Sequence, residues 1–128
     1  MFIKGIHHIA IICSDYQRSK DFYTRILGLP ILSEVYRKQR QSYKLNLAVD
    51  SQTQIELFSF PEAPPRPSYP EAQGLRHLAF AVSDINLATQ HLNSLGVFTE
   101  PIRVDDHTQK PFSFFNDPDG LPLEIYEI

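Results

Sequence analysis

The chain has little cysteine, no run of like charge and no long apolar stretch, and each lack removes a class of protein. Its only thiol among 128 residues is Cys13. A single cysteine excludes an intramolecular disulfide and suits a reducing compartment. Cys13 sits in an apolar stretch, so it reads as core packing rather than as a reactive thiol. The net charge of −3 provides no field for a nucleic acid, and no Lys/Arg run marks a basic patch. No apolar run approaches the roughly 18 residues of a membrane-spanning helix. The opening residues Met1-Phe-Ile-Lys-Gly-Ile-His-His lack the basic start, apolar stretch and cleavage site of a signal peptide. These absences lead to the expectation of a cytoplasmic protein with no nucleic-acid or membrane partner. With 42% hydrophobic and 21% charged residues the composition is that of a globular chain, and 128 residues suffice for one domain with a real core.

What is present is a repetition. His8-Ile-Ala-Ile-Ile-Cys-Ser-Asp15 is echoed by His77-Leu-Ala-Phe-Ala-Val-Ser-Asp84, and each copy later places a glutamate inside an apolar strand, at Ile55-Glu56-Leu57-Phe58 and Leu123-Glu124-Ile125-Tyr126. The histidine-to-glutamate separation is 48 residues in one copy and 47 in the other. A repeat of about 69 residues is too long for a solenoid and points to a duplicated module. In each copy the pattern predicts strand, helix, then strands. Residues 5–14 read as a buried strand. Asp15 caps a helix whose apolar spacing runs from Tyr16 to Leu27, with Gly28 as its stop. Strands are expected over 31–37, 43–49 and 53–60. The second copy repeats the order, with strands over 75–83, 97–104, 111–116 and 122–127 and a helix from Asp84 to Leu95. Five prolines in Pro61-Glu-Ala-Pro-Pro-Arg-Pro-Ser-Tyr-Pro70 force an extended segment. The expected organisation is a single domain over 1–128, made of a module over 1–60, a Pro-rich linker over 61–74 and a module over 75–128.

Side chains alternate faces along a strand, so His8 shares a face with Ala10, His77 with Ala79, Glu56 with Gln54 and Phe58, and Glu124 with Tyr126. Small neighbours leave room over the sheet for an ion and a substrate. An ionised carboxylate in an apolar strand is costly unless paired or bound to metal. Alone, each residue reads as a hydrogen-bonded core histidine or a glutamate on a wet face. Together, His8, Glu56, His77 and Glu124 form a natural ligand set for one divalent metal ion. Nitrogen and oxygen donors without thiolate suit Ni²⁺ or Zn²⁺, with Co²⁺, Mn²⁺ or Fe²⁺ as further options. His7 falls on the opposite face and reads as structural; His91 and His107 read as solvated.

With these residues in place, the chain resembles the vicinal oxygen chelate superfamily, the group of glyoxalase I, bleomycin resistance proteins and extradiol dioxygenases. The resemblance rests on the two His-to-Asp openings, the two glutamates and Phe115-Asn-Asp-Pro-Asp-Gly-Leu-Pro-Leu-Glu124, and it covers essentially the whole chain. It implies an α+β fold of two paired βαβββ modules whose curled mixed sheets form a cleft around the metal. It also implies the four ligands named above and, as often in glyoxalase I, a homodimer. The activity implied is that of a metal-dependent lyase or isomerase of the lactoylglutathione lyase kind, acting on a small vicinal-oxygen substrate. There the metal acts as a Lewis acid that stabilises a developing enediolate. Glu124 or Glu56 carries the proton, with Glu124 favoured. Two positions that hold glutathione in glyoxalase I, an arginine and an asparagine, are Ile12 and Phe60 here, which weakens the case for glutathione more than the case for the metal. Arg37, Arg40, Lys44, Arg103 and Lys110 remain as cations able to reach a carboxylate or phosphate. Competing readings are an extradiol-type dioxygenase, a metal-dependent thiol transferase of the fosfomycin-resistance kind, and a non-catalytic module that binds a small molecule such as an antibiotic.

Overall fold

A computed structural model of the chain describes all of residues 1–128. The chain divides into two compact units, residues 1–65 and 66–128. Each holds one four-stranded mixed sheet and one helix, so the α+β class expected from the sequence is the one observed. No helix is long and apolar enough to cross a membrane.

The first unit runs β1 (His8–Cys13), α1 (Tyr16–Asp21), a π-helical turn (Phe22–Ile26), β2 (Ile31–Arg37), a 3₁₀ turn (Lys38–Arg40), β3 (Ser42–Ala48) and β4 (Gln54–Ser59). The sheet order is β1-β4-β3-β2, with β1 parallel to β4 and the other pairs antiparallel. Leu45, Leu47, Ile55 and Leu57 alternate onto one face and are fully buried. Burying each contributes roughly 1.5–3 kcal/mol. The helix covers this face: Tyr16 stacks on Tyr43 with ring centres 4.2 Å apart. Its hydroxyl and the Lys20 ammonium both bond Glu34, which lies opposite Leu45 in the ladder. These two bonds hold the Glu34 carboxyl below the usual range.

Asp15 caps α1 as its sequence suggests, accepting from the Arg18 amide at 3.2 Å. The helix expected to Leu27 runs without a break to Ile26 but changes from α to π after Asp21. The Thr24 hydroxyl takes the Lys20 carbonyl at 2.6 Å, and the following turn widens so that the Leu27 amide bonds Phe22 instead. A side-chain hydroxyl on the carbonyl four residues back loosens a helix in this way. Gly28 then ends the segment at φ 75°.

The second unit runs β5 (Leu78–Val82), α2 (Ile85–Ser94), β6 (Arg103–Val104), β7 (Pro111–Asn116) and β8 (Pro122–Glu127), in the order β5-β8-β7-β6. Asp84 caps α2 by accepting from the Asn86 and Leu87 amides at 3.0 and 3.1 Å. The strand expected over 97–104 shrinks to two residues. Glu100 makes one ladder bond to the Phe114 carbonyl at 2.8 Å. The next residue is Pro101, which has no amide hydrogen to continue the ladder.

In both sheets an aspartate fixes the register that matters for the site. Asp50 accepts from the Gln52 and Thr53 amides, both at 2.8 Å, and closes the β3–β4 hairpin. Asp117, only 5% exposed, accepts from the Asp119 and Leu121 amides, both at 2.9 Å, and closes β7–β8. Bonds from buried amides to a carboxylate are stronger than neutral ones. Asp117→Ala is therefore expected to lower the unfolding free energy by about 2 kcal/mol, with Asp117→Asn losing less; urea unfolding of both variants measures it.

Candidate metal and substrate site

In the first unit the parallel ladder sets Ala10 beside Glu56 and His8 beside Gln54. The antiparallel ladder sets Asn46 opposite Glu56 and Lys44 opposite Phe58. These residues share the face turned away from the leucine core. His8 Nε2 lies 3.6 Å from Glu56 Oε1. The other oxygen of Glu56 accepts from Asn46 Nδ2 at 3.3 Å and stands 3.8 Å from Lys44 Nζ. Although strand alternation assigns His7 to the opposite face, its ring meets that of His8. The two Nδ1 atoms are 2.9 Å apart, so one donates and the other accepts. This contact engages His8 Nδ1 and leaves Nε2 as the nitrogen near Glu56.

The second unit repeats the arrangement with different surroundings. Ala79 lies beside Glu124 and Phe114 lies opposite it. His77 Nε2 is 3.8 Å from Glu124 Oε2. The imidazole meets the Phe114 ring edge to face at 5.0 Å, and its Nδ1 is buried without a hydrogen-bond partner. Both glutamates are 9% exposed. Glu56 has an amide and an ammonium beside it, whereas Glu124 has a phenyl ring. Burial accordingly pushes the Glu124 carboxyl above its ordinary range, and the charges of His77 and Arg103 draw it only partly back.

The two pairs fit a divalent metal ion. Imidazole nitrogen and carboxylate oxygen bind such ions at about 2.0–2.2 Å, so two donors to one ion lie no more than roughly 4 Å apart. Separations of 3.6 and 3.8 Å meet that limit, and both are too long for hydrogen bonds. Neither pair gains a third His, Cys, Asp or Glu donor within its own unit. Thus His8 comes to Glu56 and His77 to Glu124, each beside the small alanine anticipated from the sequence.

Three contacts were not visible from strand periodicity: the His7–His8 ring pair, Asn46 on Glu56 and Phe114 on His77. The last two follow from register. Once Asp50 and Asp117 are recognised as hairpin turns, counting back along β3 and β7 brings Asn46 and Phe114 opposite the glutamates. The cations also acquire definite places. The Arg37 guanidinium lies over Phe58 at 4.9 Å and Phe60 at 5.7 Å, and Arg40 lies over Phe60 at 5.5 Å. Arg103 lies over Phe112 at 5.1 Å and Phe114 at 5.7 Å.

The upward displacement of Glu124 has a stability consequence. A group whose pKa is raised on folding favours the folded state while protonated, and that advantage disappears as pH rises through the folded value. At neutral pH the ionised carboxylate therefore weighs against folding of the metal-free protein. Glu124→Gln is expected to raise the melting temperature of metal-stripped protein at pH 7, the gain shrinking as pH falls towards the ordinary 4.5. Thermal melts across that pH range check the sign.

The family relationship agrees with this geometry. Residues 5–125 match the model of the Glyoxalase/Bleomycin resistance protein/Dioxygenase superfamily. The uncharacterized protein YaeR of Escherichia coli (strain K12) is 62% identical over 125 residues, covering 98% of this chain and 97% of its own. A glyoxalase family protein from Enterococcus faecalis superposes with a TM-score of 0.91 at 50% identity, covering 99% of this chain and 100% of that one. A lactoylglutathione lyase of Pseudomonas aeruginosa is a more distant relative, 24% identical over 145 residues, with 94% of this chain and 81% of the lyase covered. With the family model matching nearly the whole chain and these relatives beside it, the chain belongs to the glyoxalase/bleomycin resistance protein/dioxygenase superfamily.

Proposed function

We propose that the protein is a metal-dependent lyase or isomerase of the glyoxalase I kind, acting on a small substrate with oxygens on neighbouring carbons. The superfamily includes metal-dependent enzymes. The observation that carries the reading is the duplicated His–Glu pair, one in each unit, at 3.6 and 3.8 Å, on a sheet face flanked by alanine. One pair of each kind completes a four-donor set of His8, Glu56, His77 and Glu124, suited to Ni²⁺ or Zn²⁺. When bound, such an ion supplies Lewis-acid stabilisation of negative charge on vicinal oxygens.

The chain's own groups divide the remaining work. Glu124 is the proton carrier: its desolvated carboxylate is more basic than an exposed one, and a carboxylate oxygen facing Phe114 takes a proton from one carbon and returns it to the next. Glu56 is held in place by Asn46 and Lys44. His7 orients His8, and Phe114 orients His77. Ile12 and Phe60 stand at positions that hold glutathione in glyoxalase I, which weakens the case for glutathione more than the case for the metal. A four-donor protein set would favour the lyase or isomerase over an extradiol dioxygenase, whose metal is held by two histidines and one carboxylate.

The test is metal content by elemental mass spectrometry on untagged protein, followed by titration of stripped protein with Ni²⁺, Zn²⁺, Mn²⁺ and Fe²⁺. About one tightly held ion per chain is expected, with affinity falling at least tenfold in His8→Ala, Glu56→Ala, His77→Ala and Glu124→Ala. His7→Ala is expected to weaken binding less than His8→Ala. Absence of binding by any of the four metals sinks the catalytic reading and leaves a small-molecule binding module. The same reading carries a homodimer, which light scattering checks at twice the 14.7 kDa chain mass.

A further inference from the structure

Within the second unit a cavity opens one ladder step from Glu124, lined by Tyr69, Arg76, Glu100, Arg103, Phe114, Asn116 and Pro122. Its placement follows from register. Asn116 pairs with Pro122, and the next pair on the same face is Phe114 with Glu124. Arg76 immediately precedes His77. The Phe114 ring touches both sides of the arrangement, with His77 against it at 5.0 Å and the Arg103 guanidinium over it at 5.7 Å.

We propose that this cavity seats an anionic group of the substrate, a carboxylate or a phosphate, with Arg103 as its principal anchor and Arg76 and Asn116 as auxiliary donors. The inference rests on the metal-dependent reading for the identity of the substrate's other end, and it adds the substrate class.

Three features support it. The first is donor capacity: the Arg76 and Arg103 guanidinium groups both line the cavity, and each meets one carboxylate, Glu71 and Glu100, through a single nitrogen at 3.4 Å. The second is preorganisation. The Arg103 guanidinium stands 5.1 Å from the Phe112 ring centre and 5.7 Å from that of Phe114, two rings at 89° to each other, and these contacts restrain its position. Its one ion pair, to Glu100 at 3.4 Å, uses a single nitrogen of the fork. Glu100 is itself pinned, its amide bonded to the Phe114 carbonyl at 2.8 Å and its carbonyl to the Ser113 hydroxyl at 2.7 Å. It thus positions Arg103 without filling the cavity. The third is position: Phe114, which lines the cavity, is the ladder partner of Glu124, so the cavity adjoins the candidate site.

The site is testable without metal. The full chain, isotope-labelled and stripped of metal, is titrated with inorganic phosphate and separately with acetate, against sodium chloride at equal ionic strength, and followed by NMR. Saturable shifts of the Asn116 side-chain amide and the Arg103 Nε–H are expected with one anion or both and not with chloride; the anion that saturates at the lower concentration names the class. Arg103→Met, which keeps the apolar stem over the rings, is expected to weaken binding at least tenfold, and Arg103→Lys to restore part of it. Arg76→Met, at a half-exposed side chain that folding tolerates, is expected to weaken binding by a smaller factor. No saturable shift with either anion overturns the proposal, as does saturation unchanged in both Met variants. Failure of the metal titrations with these shifts intact would remove the enzyme reading and leave the anion site standing.

Discussion

Glu56 and Glu124 each stand in the middle of a sheet with nine-tenths of their surface removed from water. An ionised carboxylate in that position must find compensation, and much of the local structure can be understood as the means of supplying it. The parallel strand beside each glutamate carries alanine at the adjacent position, which keeps space open above the carboxylate. The histidine two residues earlier approaches near enough to share a cation with it but not near enough to hydrogen-bond. The antiparallel strand on the other side then decides how much help each carboxylate receives from the protein itself.

That help differs between the two copies. Asn46 donates a hydrogen bond to Glu56 and Lys44 stands beside it, both from within the sheet. Phe114 gives Glu124 no hydrogen bond, and its compensation comes from more distant charges on His77 and Arg103. Two modules with one topology thus hold one comfortable carboxylate and one strained one. Pairs of titratable groups whose environments diverge in this way are how a fold separates a fixed role from a proton-carrying role. The aromatic rows serve the same division: the rings that deny Glu124 a polar neighbour also support the Arg103 guanidinium.

The parts of this picture that depend on local pattern were legible in the sequence. Alternation over residues 43–49, 111–116 and 122–127 identified strands and their faces. The aspartates at 15 and 84 marked helix starts, and the repeated His-to-Glu spacing singled out the residues that the sheets bring together in pairs. What was hidden depended on competition between local bonds or on pairing between strands. Nothing in the apolar spacing of Tyr16 to Leu27 shows that Thr24 takes the Lys20 carbonyl. The run from 97 to 104 looked like a strand because its composition is strand-like, while Pro101 removed the amide the ladder required. The contacts of Asn46 and Phe114 required cross-strand register, which is set by turn chemistry at Asp50 and Asp117 rather than by hydrophobicity.

The shortened β6 has a counterpart in the first sheet that was not shortened. β2 occupies the equivalent outer position and runs for seven residues, with Ile31, Leu32, Val35 and Tyr36 all about half exposed. An outer strand of that length offers a row of unpaired amides and carbonyls to any extended chain that meets it, and apolar side chains make the encounter adhesive. Pro101 closes that route in the second sheet. In the first, protection falls to the Glu34 and Arg37 charges and to the register shift near Ser33. Strand addition at β2 is thereby one route by which this protein can self-associate.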